Sequence, residues 1–408
     1  MTKPHRKVHI LLSAFACDPV TGSEPYVGWS WANLLARDYK VTVLTRSYSK
    51  DLIDSSGISL PFEVIYFDLP GIRSKNHYWR FIKIYYVIWQ FLALFKLLTI
   101  ARNFRFDFIH HLTYNVVDMP GFLWLIPGTK FIWGPVGGGQ LPPNSLKEVY
   151  GPGWYKQQIR AVMKHCARWN PIIRLATRKA SHVFFANKET AALISPFANS
   201  ASILLETAID PKVSVRPASA KSGYALWLGN VIDRKALIIA IEAYGKLATD
   251  KRAKVVPLVI AGDGPMLAAA KKRAAELQIL DRVSFLGRVP YGDVDELMSN
   301  ASFFIFTSVQ DTSGNVVLEA MAQGKPVIAL DHHGVSEMIT ARSGIKIQVK
   351  SFSSVVDEFA AAIQRLSCDT TLREKMSSEA LSLVRSEHSW TARYHAYCNV
   401  INNLAQKN

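Results

Sequence analysis

Along most of this chain, short apolar runs alternate with amphipathic stretches, and the runs end in loops rich in glycine or polar residues. That alternation is the signature of repeated strand–helix–strand units, which pack as parallel sheets with helices on both faces. In the first half, 8–14 reads as a strand, 22–24 as a turn, 27–36 as a helix and 40–44 as a second strand. Buried strands follow at 106–110, 130–133 and 182–186. Residues 210–223, with two prolines, two lysines and several small residues, read as a linker. The pattern then restarts: strands at 225–228, 256–261, 283–286, 303–306 and 327–330, with helices at 237–247, 266–277 and 293–300. At 408 residues the chain exceeds one ordinary core. The expected division is 1–212, 213–388 and a terminal segment 389–408.

In sheets of this kind ligands bind beyond the carboxyl ends of the strands. The loops expected to converge there are 22–24, 110–115, 134–139, 230–235, 262–265, 287–289 and 311–315. The last of these is the richest in chemistry. Asp311 and Glu319 bracket a polar turn that feeds an apolar helix, and Gly324 stands where a left-handed residue ends a helix. A glycine-containing loop at a helix N-terminus suits a diphosphate, because backbone N–H groups and the positive dipole end point outward. The two carboxylates can accept hydrogen bonds from sugar hydroxyls. An ordinary strand–turn–helix with two solvated acids is the competing reading.

Charge narrows the partner. Of the +16 net charge, +14 falls between residues 71 and 188, where seventeen Lys and Arg face three acids (Asp107, Asp118, Glu148). Such a field favours an anionic partner. No helix-turn-helix, zinc-finger or RNA-binding signature accompanies it, so nucleic acid is not expected. The same segment holds an aromatic, apolar stretch, 78–95, with Trp79 and Trp89 and with the basic residues Arg80, Lys83, Arg102 and Arg105 in and after it. Its uncharged part, 84–95, falls short of the roughly twenty residues a membrane span needs. A buried core helix, a helix lying in the membrane interface and a true span all stay open. The N-terminal run 8–17 behind Lys3, Arg6 and Lys7 loosely resembles a secretory leader, but it is short, carries His9 and runs into a turn, so a first strand is expected. Cys17, Cys166, Cys368 and Cys398 are scattered, which fits a reducing compartment and no disulfide framework or zinc site.

From Leu226 to Met338 the chain resembles the second domain of the retaining nucleotide-sugar glycosyltransferases of the GT-B fold, glycosyltransferase family 4, also called glycosyl transferases group 1. The matching pieces are Leu228-Gly229 with Arg234-Lys235, the 259–265 strand and glycine turn, the 283–289 strand end, and the Asp311–Glu319 motif. In the first half, Gly22-Ser23-Glu24 looks like the family's glycine turn and 107–111 like its Asp-x-x-His-x-His strand end. Ser389-Trp390 through Leu404 looks like its terminal helix. The resemblance implies two Rossmann-like, doubly wound parallel-sheet domains facing a central cleft, an acceptor-side first and a donor-binding second, with the C-terminal helix crossing back to the first.

It also implies retaining transfer of a sugar from a UDP- or GDP-linked donor, with no cofactor and no metal. Lys235 would neutralise the diphosphate with Arg234, Glu319 would hold the ribose, and Asp311 would face the donor sugar. Ser313, Gly314, Asn315 and Val316 would offer amides to sugar and phosphate, and Gly287 and Arg288 would flank the base. Gly22 and Ser23 would belong to the donor side, and Glu24, Gly137 and Gly138 to the acceptor side. The chain departs from the family pattern in three places. Asp311 stands for the usual glutamate, Asn230 for the usual arginine, and the histidine expected at Trp133-Gly134 is missing. His111, or His110, is then the candidate to take over part of its catalytic role; each can equally be a packed strand-end residue.

Asp293-Val294-Asp295 is formally an Asp-x-Asp metal signature, but both acids sit where a helix start favours them. Asp331-His332-His333 reads as a strand-end loop, with no further ligand at metal-site spacing. The expected acceptor is a saccharide linked to a polyprenyl diphosphate, used in exopolysaccharide or cell-envelope synthesis, at the inner face of the cell membrane where the enzyme binds anionic lipid peripherally from the cytoplasm. Two alternatives remain: a non-catalytic nucleotide-sugar-binding subunit, or a nucleotide-sugar epimerase of the same fold.

Overall fold

The structure is a computed structural model that describes residues 6–22, 24–69, 81–100, 105–211, 223–250 and 253–406. Ser23, Trp79, Arg80, Arg102 and most of the 210–223 linker lie outside the described residues. Within them are two parallel sheets. The first contains β1 (His9–Ser13), β2 (Lys40–Thr45), β3 (Glu63–Tyr66), β4 (Phe108–His111), β5 (Lys130–Val136), β6 (His182–Phe185) and β7 (Ala201–Ile203), in the order β3-β2-β1-β4-β5-β6-β7. The second contains β8 (Tyr224–Leu228), β9 (Leu258–Ala261), β10 (Val283–Gly287), β11 (Ala301–Phe306), β12 (Val327–Leu330) and β13 (Gly344–Ile347), in the order β10-β9-β8-β11-β12-β13. Each sheet winds outward from its first strand and then reverses, which places a switch point between β1 and β4 in one and between β8 and β11 in the other. The expected α/β, doubly wound architecture is present in both halves.

Two compact units result: residues 1–139, 162–207 and 394–408 form one, and 140–161 with 208–393 the other. The chain thus divides less simply than a cut at 212. Residues 140–161 group with the second unit because Leu146, Val149 and Tyr150 are buried in its hydrophobic core beside Trp227, Leu237 and Ile305. The last helix, Trp390–Gln406, belongs to the first unit from Tyr394 onward. Its Tyr397 ring, fully buried, stacks on His110 at 5.1 Å and on Phe184 at 5.6 Å, and meets Trp31 at 5.3 Å.

Helix Ile82–Ile100 carries both characters that its sequence left open. One stripe is core: Tyr85, Tyr86, Trp89, Ala93, Leu94 and Leu97 are buried with Phe15, Ile109 and Trp133. Trp89 is 0% exposed, donates from its indole to the Phe67 carbonyl at 2.7 Å, and sits edge-on to Phe15. Each such large buried side chain contributes about 1.5–3 kcal/mol. The opposite stripe, with Ile84, Val87, Ile88, Phe91 and Phe95, is exposed. Nineteen residues long and this apolar, the helix could also cross a bilayer by length and composition.

Candidate functional site

The second unit brings together the charged residues expected at its carboxyl edge. After β8 the chain makes a short 3₁₀ turn, Asp233–Lys235, closed by Ala236 in the left-handed region, and then enters helix Leu237–Thr249. This turn is stapled to the segment after β11. The Thr307 hydroxyl donates to the Lys235 carbonyl at 2.7 Å and the Ser308 hydroxyl to the Arg234 carbonyl at 3.1 Å. The Val309 amide also donates to the Arg234 carbonyl, at 2.8 Å. Thr307 in turn accepts from the Trp227 indole at 2.9 Å, so core packing fixes the loop.

The staple aims two cations at one carboxylate. Lys235 Nζ is ion-paired and hydrogen-bonded to Asp311 Oδ2, and Arg234 reaches Asp311 Oδ1 at 3.2 Å and the Gln310 carbonyl at 3.1 Å. The Lys235 ammonium also lies 5.0 Å from the centre of the Phe306 ring. Burial lowers the Lys235 pKa, and the Asp311 charge opposes that shift. Beyond Asp311, Gly314 is the N-cap of helix Asn315–Ala322 and offers no side chain to its first-turn amides. Ser313 and Gly314 are buried, Asn315 and Val316 half-buried. Glu319, also half-buried, falls one turn after Asn315 on the same helix face. Gly324, at φ +64°, follows the helix as expected.

Gly287 ends β10 further along the same edge, where its carbonyl accepts from the Gly262 amide at 2.7 Å; Arg288 beside it is exposed. Asn230, in the place of the family's arginine, is exposed as well. Gln140 and Gln310, which carried no sequence signal, also hold this edge. The Gln140 amide donates to Thr312 Oγ1 at 2.6 Å, and the Gln310 amide to the Gln140 carbonyl at 3.1 Å, across an interval of 170 residues. His332 Nε2 pairs with the Ser308 carbonyl at 3.0 Å and His333 Nε2 with the Leu141 carbonyl at 3.1 Å. Burial lowers the His333 pKa to about 4, so it is a neutral structural group near pH 7. Asp331 points elsewhere, to Lys346 at 2.7 Å.

In the first unit the two candidate histidines diverge because neighbouring strand residues face opposite sides of a sheet. His110 is 0% exposed, pairs with the Gly134 carbonyl at 2.7 Å and stacks on Tyr397. His111 is equally buried on the other face, where its Nε2 meets Tyr86 Oη at 2.6 Å and its Nδ1 the Pro120 carbonyl at 3.3 Å. Burial lowers their pKa values to about 3 and about 4. Both fit packed, neutral strand-end residues better than proton carriers.

Glu24 is different. It opens helix Glu24–Leu35 beside the β1–β4 switch point and accepts from the Tyr114 amide in the loop after β4. Burial raises its pKa to about 7, with the Tyr114 amide opposing and the Glu206 charge adding to the shift. Gly22 before it is exposed. In the loop after β5, the Gly137 amide and carbonyl are both engaged by residues 115–117. Gly138 is in the left-handed region at φ +85°.

Comparison with known proteins finds likeness in the second unit and in the fold. The family model described as glycosyl transferases group 1 matches residues 212–382, within the second unit. Among curated relatives, alpha-D-kanosaminyltransferase of Streptomyces kanamyceticus is 30% identical over 167 residues, covering 41% of this chain and 42% of its own. Alpha-monoglucosyldiacylglycerol synthase of Streptococcus pneumoniae is 31% identical over 153 residues, covering 37% of this chain and 34% of its own. The chain thus spans about a third to two fifths of those relatives. The whole chain superposes on sucrose-phosphate synthase from Thermosynechococcus elongatus with a TM-score of 0.65 at 18% identity, over 98% of this chain and 100% of that one. The fold is therefore GT-B.

Proposed function

We propose that this chain is a retaining glycosyltransferase of family 4 that moves a sugar from a UDP- or GDP-linked donor to a lipid-linked saccharide, without a metal ion. The observation that carries the reading is the Lys235–Arg234–Asp311 cluster, built across the β8/β11 switch point next to a helix start whose N-cap is glycine. A departing nucleotide diphosphate accumulates negative charge, and preorganised cations and amides lower the barrier to its departure. Lys235 and Arg234 supply the cations, and the first turn of helix Asn315–Ala322 supplies the amides. Asp311 holds both cations in place and accepts hydrogen bonds from the donor sugar. Glu319 takes the ribose hydroxyls. Lys235 and Arg234 take the charge-neutralising task.

On the acceptor side, Glu24 orients a hydroxyl at the first unit's carboxyl edge; its place at a helix start beside the β1–β4 switch point supports this. The exposed apolar face of Ile82–Ile100, with Lys83 and Lys96 at its ends, supports peripheral attachment to an anionic membrane from the cytoplasm. The pneumococcal relative, an alpha-monoglucosyldiacylglycerol synthase by name, supports a lipid-borne acceptor. The test is thermal shift of the purified chain against UDP- and GDP-sugars, followed by transfer assays with the donor that stabilises it. A panel in which no nucleotide sugar raises Tm, with none hydrolysed or transferred, defeats the reading.

A further inference from the structure

The first unit contains a cation that the proposed reaction does not use. Lys164, on helix Trp154–Ala167, is only 9% exposed, and its ammonium is ion-paired with Asp118, whose own side chain is 42% exposed. A lysine costs several kcal/mol to bury. Here it is buried so that its charge lies beside the glycine loop after β5. A Cβ built on Gly138 would come within 3.2 Å of the Val116 side chain and 3.7 Å of Lys164 Nζ.

On the other side, Asp118 lines an apolar pocket of about 120 Å³. Its walls are Val87, Met119, Pro120, Phe122 and Ile172. Val87 and Ile172 are 41% and 49% exposed, so the pocket lies along the unpartnered face of Ile82–Ile100 and the start of helix Pro171–Lys179. Around it stand Trp169, 67% exposed and flanked by Arg168 and Arg174 at 5.6 and 5.1 Å, with Arg178 and Lys179 exposed further along. Exposed tryptophan between arginines is an arrangement suited to a lipid–water boundary.

We infer that Lys164, beside Gly138, binds the phosphoryl head of a phosphorylated lipid whose first chain segment lies in the Val87–Phe122–Ile172 pocket. This rests on the lipid-linked acceptor proposed above, and it names the group that would hold that lipid. In the free protein Asp118 neutralises Lys164. On binding, the phosphoryl oxygens share the ammonium, and the half-exposed Asp118 carboxylate is a competitor that lowers affinity. A purely structural ion pair makes the opposite prediction, since removing Asp118 would leave Lys164 uncompensated and change no ligand affinity.

The experiment is calorimetric titration of the full chain with farnesyl diphosphate below its aggregation limit, with farnesol and inorganic diphosphate as controls. Farnesyl diphosphate is expected to bind at least tenfold more tightly than either control. Lys164→Gln should weaken it about tenfold or more, Val87→Trp should weaken it by filling the pocket, and Asp118→Asn should tighten it severalfold. Equal binding of inorganic diphosphate, or unchanged farnesyl diphosphate affinity in Lys164→Gln and Asp118→Asn, overturns the inference. If Lys164→Gln does not fold, Asp118→Asn and Val87→Trp decide it alone, since both retain the lysine. A chain that binds nucleotide sugars but not farnesyl diphosphate sinks this site and leaves transfer standing. The converse result sinks transfer and leaves the lipid-phosphate site.

Discussion

Lys235 and Asp311 stand 76 positions apart in sequence, yet their side chains form one ion pair across the switch point of the second sheet. Both are about 16% exposed, and Arg234 shares the same carboxylate. Taking such charges out of water consumes most of what their attraction returns, so the pair adds little net stability. What it does provide is a cation held in position before a substrate arrives. Preorganisation of that kind is where electrostatic catalysis gains its advantage over water.

Lys235→Ala should therefore lower transfer by roughly 10²–10³, the scale for losing one charge-stabilising donor. Asp311→Asn should reduce turnover more than nucleotide affinity, because its carboxylate holds both cations and, in the proposed site, faces the donor sugar. It should also cost stability, on the order of 3 kcal/mol, by leaving Lys235 buried without its counter-charge. Glu319→Gln should instead weaken the nucleotide itself. Steady-state kinetics with nucleotide titration measures all three, and wild-type turnover and affinity in both carboxylate variants would remove the assignment.

If Lys235 and the helix amides neutralise the diphosphate as proposed, transfer should persist in EDTA. Rates measured before and after chelation check this directly. Complete loss in EDTA with recovery on adding Mn²⁺ would return Asp293-Val294-Asp295 to consideration.

Much of this was legible in the sequence because buried parallel strands leave continuous apolar runs. Strands 327–330 and 303–306 announced themselves that way. The three strands that sequence reading passed over, Glu63–Tyr66, Ala201–Ile203 and Gly344–Ile347, all lie at sheet edges, where one side lacks a neighbour and the residues are mixed. Arg234, Lys235 and Asp311 stood out because they lie in loops after apolar strands and match motifs of the family the chain resembles; their pairing did not show until the chain folded. Gln140 and Gln310 did not stand out, since two glutamines 170 residues apart carry no pattern until the chain has folded. His110, which the sequence left open between a chemical role and a packed strand end, is turned by strand alternation onto Tyr397.

Glu24 gives a pH prediction. Its folded pKa, raised to about 7 by burial, exceeds the ordinary carboxyl value of 4.5. Between those two values the folded state binds more protons than the unfolded one, so stability falls as pH rises from about 4.5 to 7 and then levels. Glu24→Gln should remove that slope and raise Tm at pH 8 relative to wild type. If Glu24 also orients the acceptor, the variant should lose transfer while keeping nucleotide affinity. Tm profiles of the two proteins from pH 4.5 to 8 read the first effect, and parallel slopes would contradict the assignment.

The two stripes of Ile82–Ile100 make separable predictions about the membrane. Trp89 is core, so Trp89→Ala should destabilise the first unit by about 3–5 kcal/mol. Phe91 and Phe95 are 45% and 52% exposed, so Phe91→Asp with Phe95→Asp should leave Tm nearly unchanged. Each basic residue close to an anionic surface contributes on the order of 1 kcal/mol, and that part should fade with salt. Burial of the aromatic face adds a part that salt does not erode. Sedimentation with anionic vesicles at low and high salt distinguishes the two. Wild type should bind at low salt and partly persist at high salt, whereas the Phe91→Asp, Phe95→Asp double variant should be released at high salt. No binding to anionic vesicles at low salt would remove the membrane from the proposal and make a soluble acceptor the better reading.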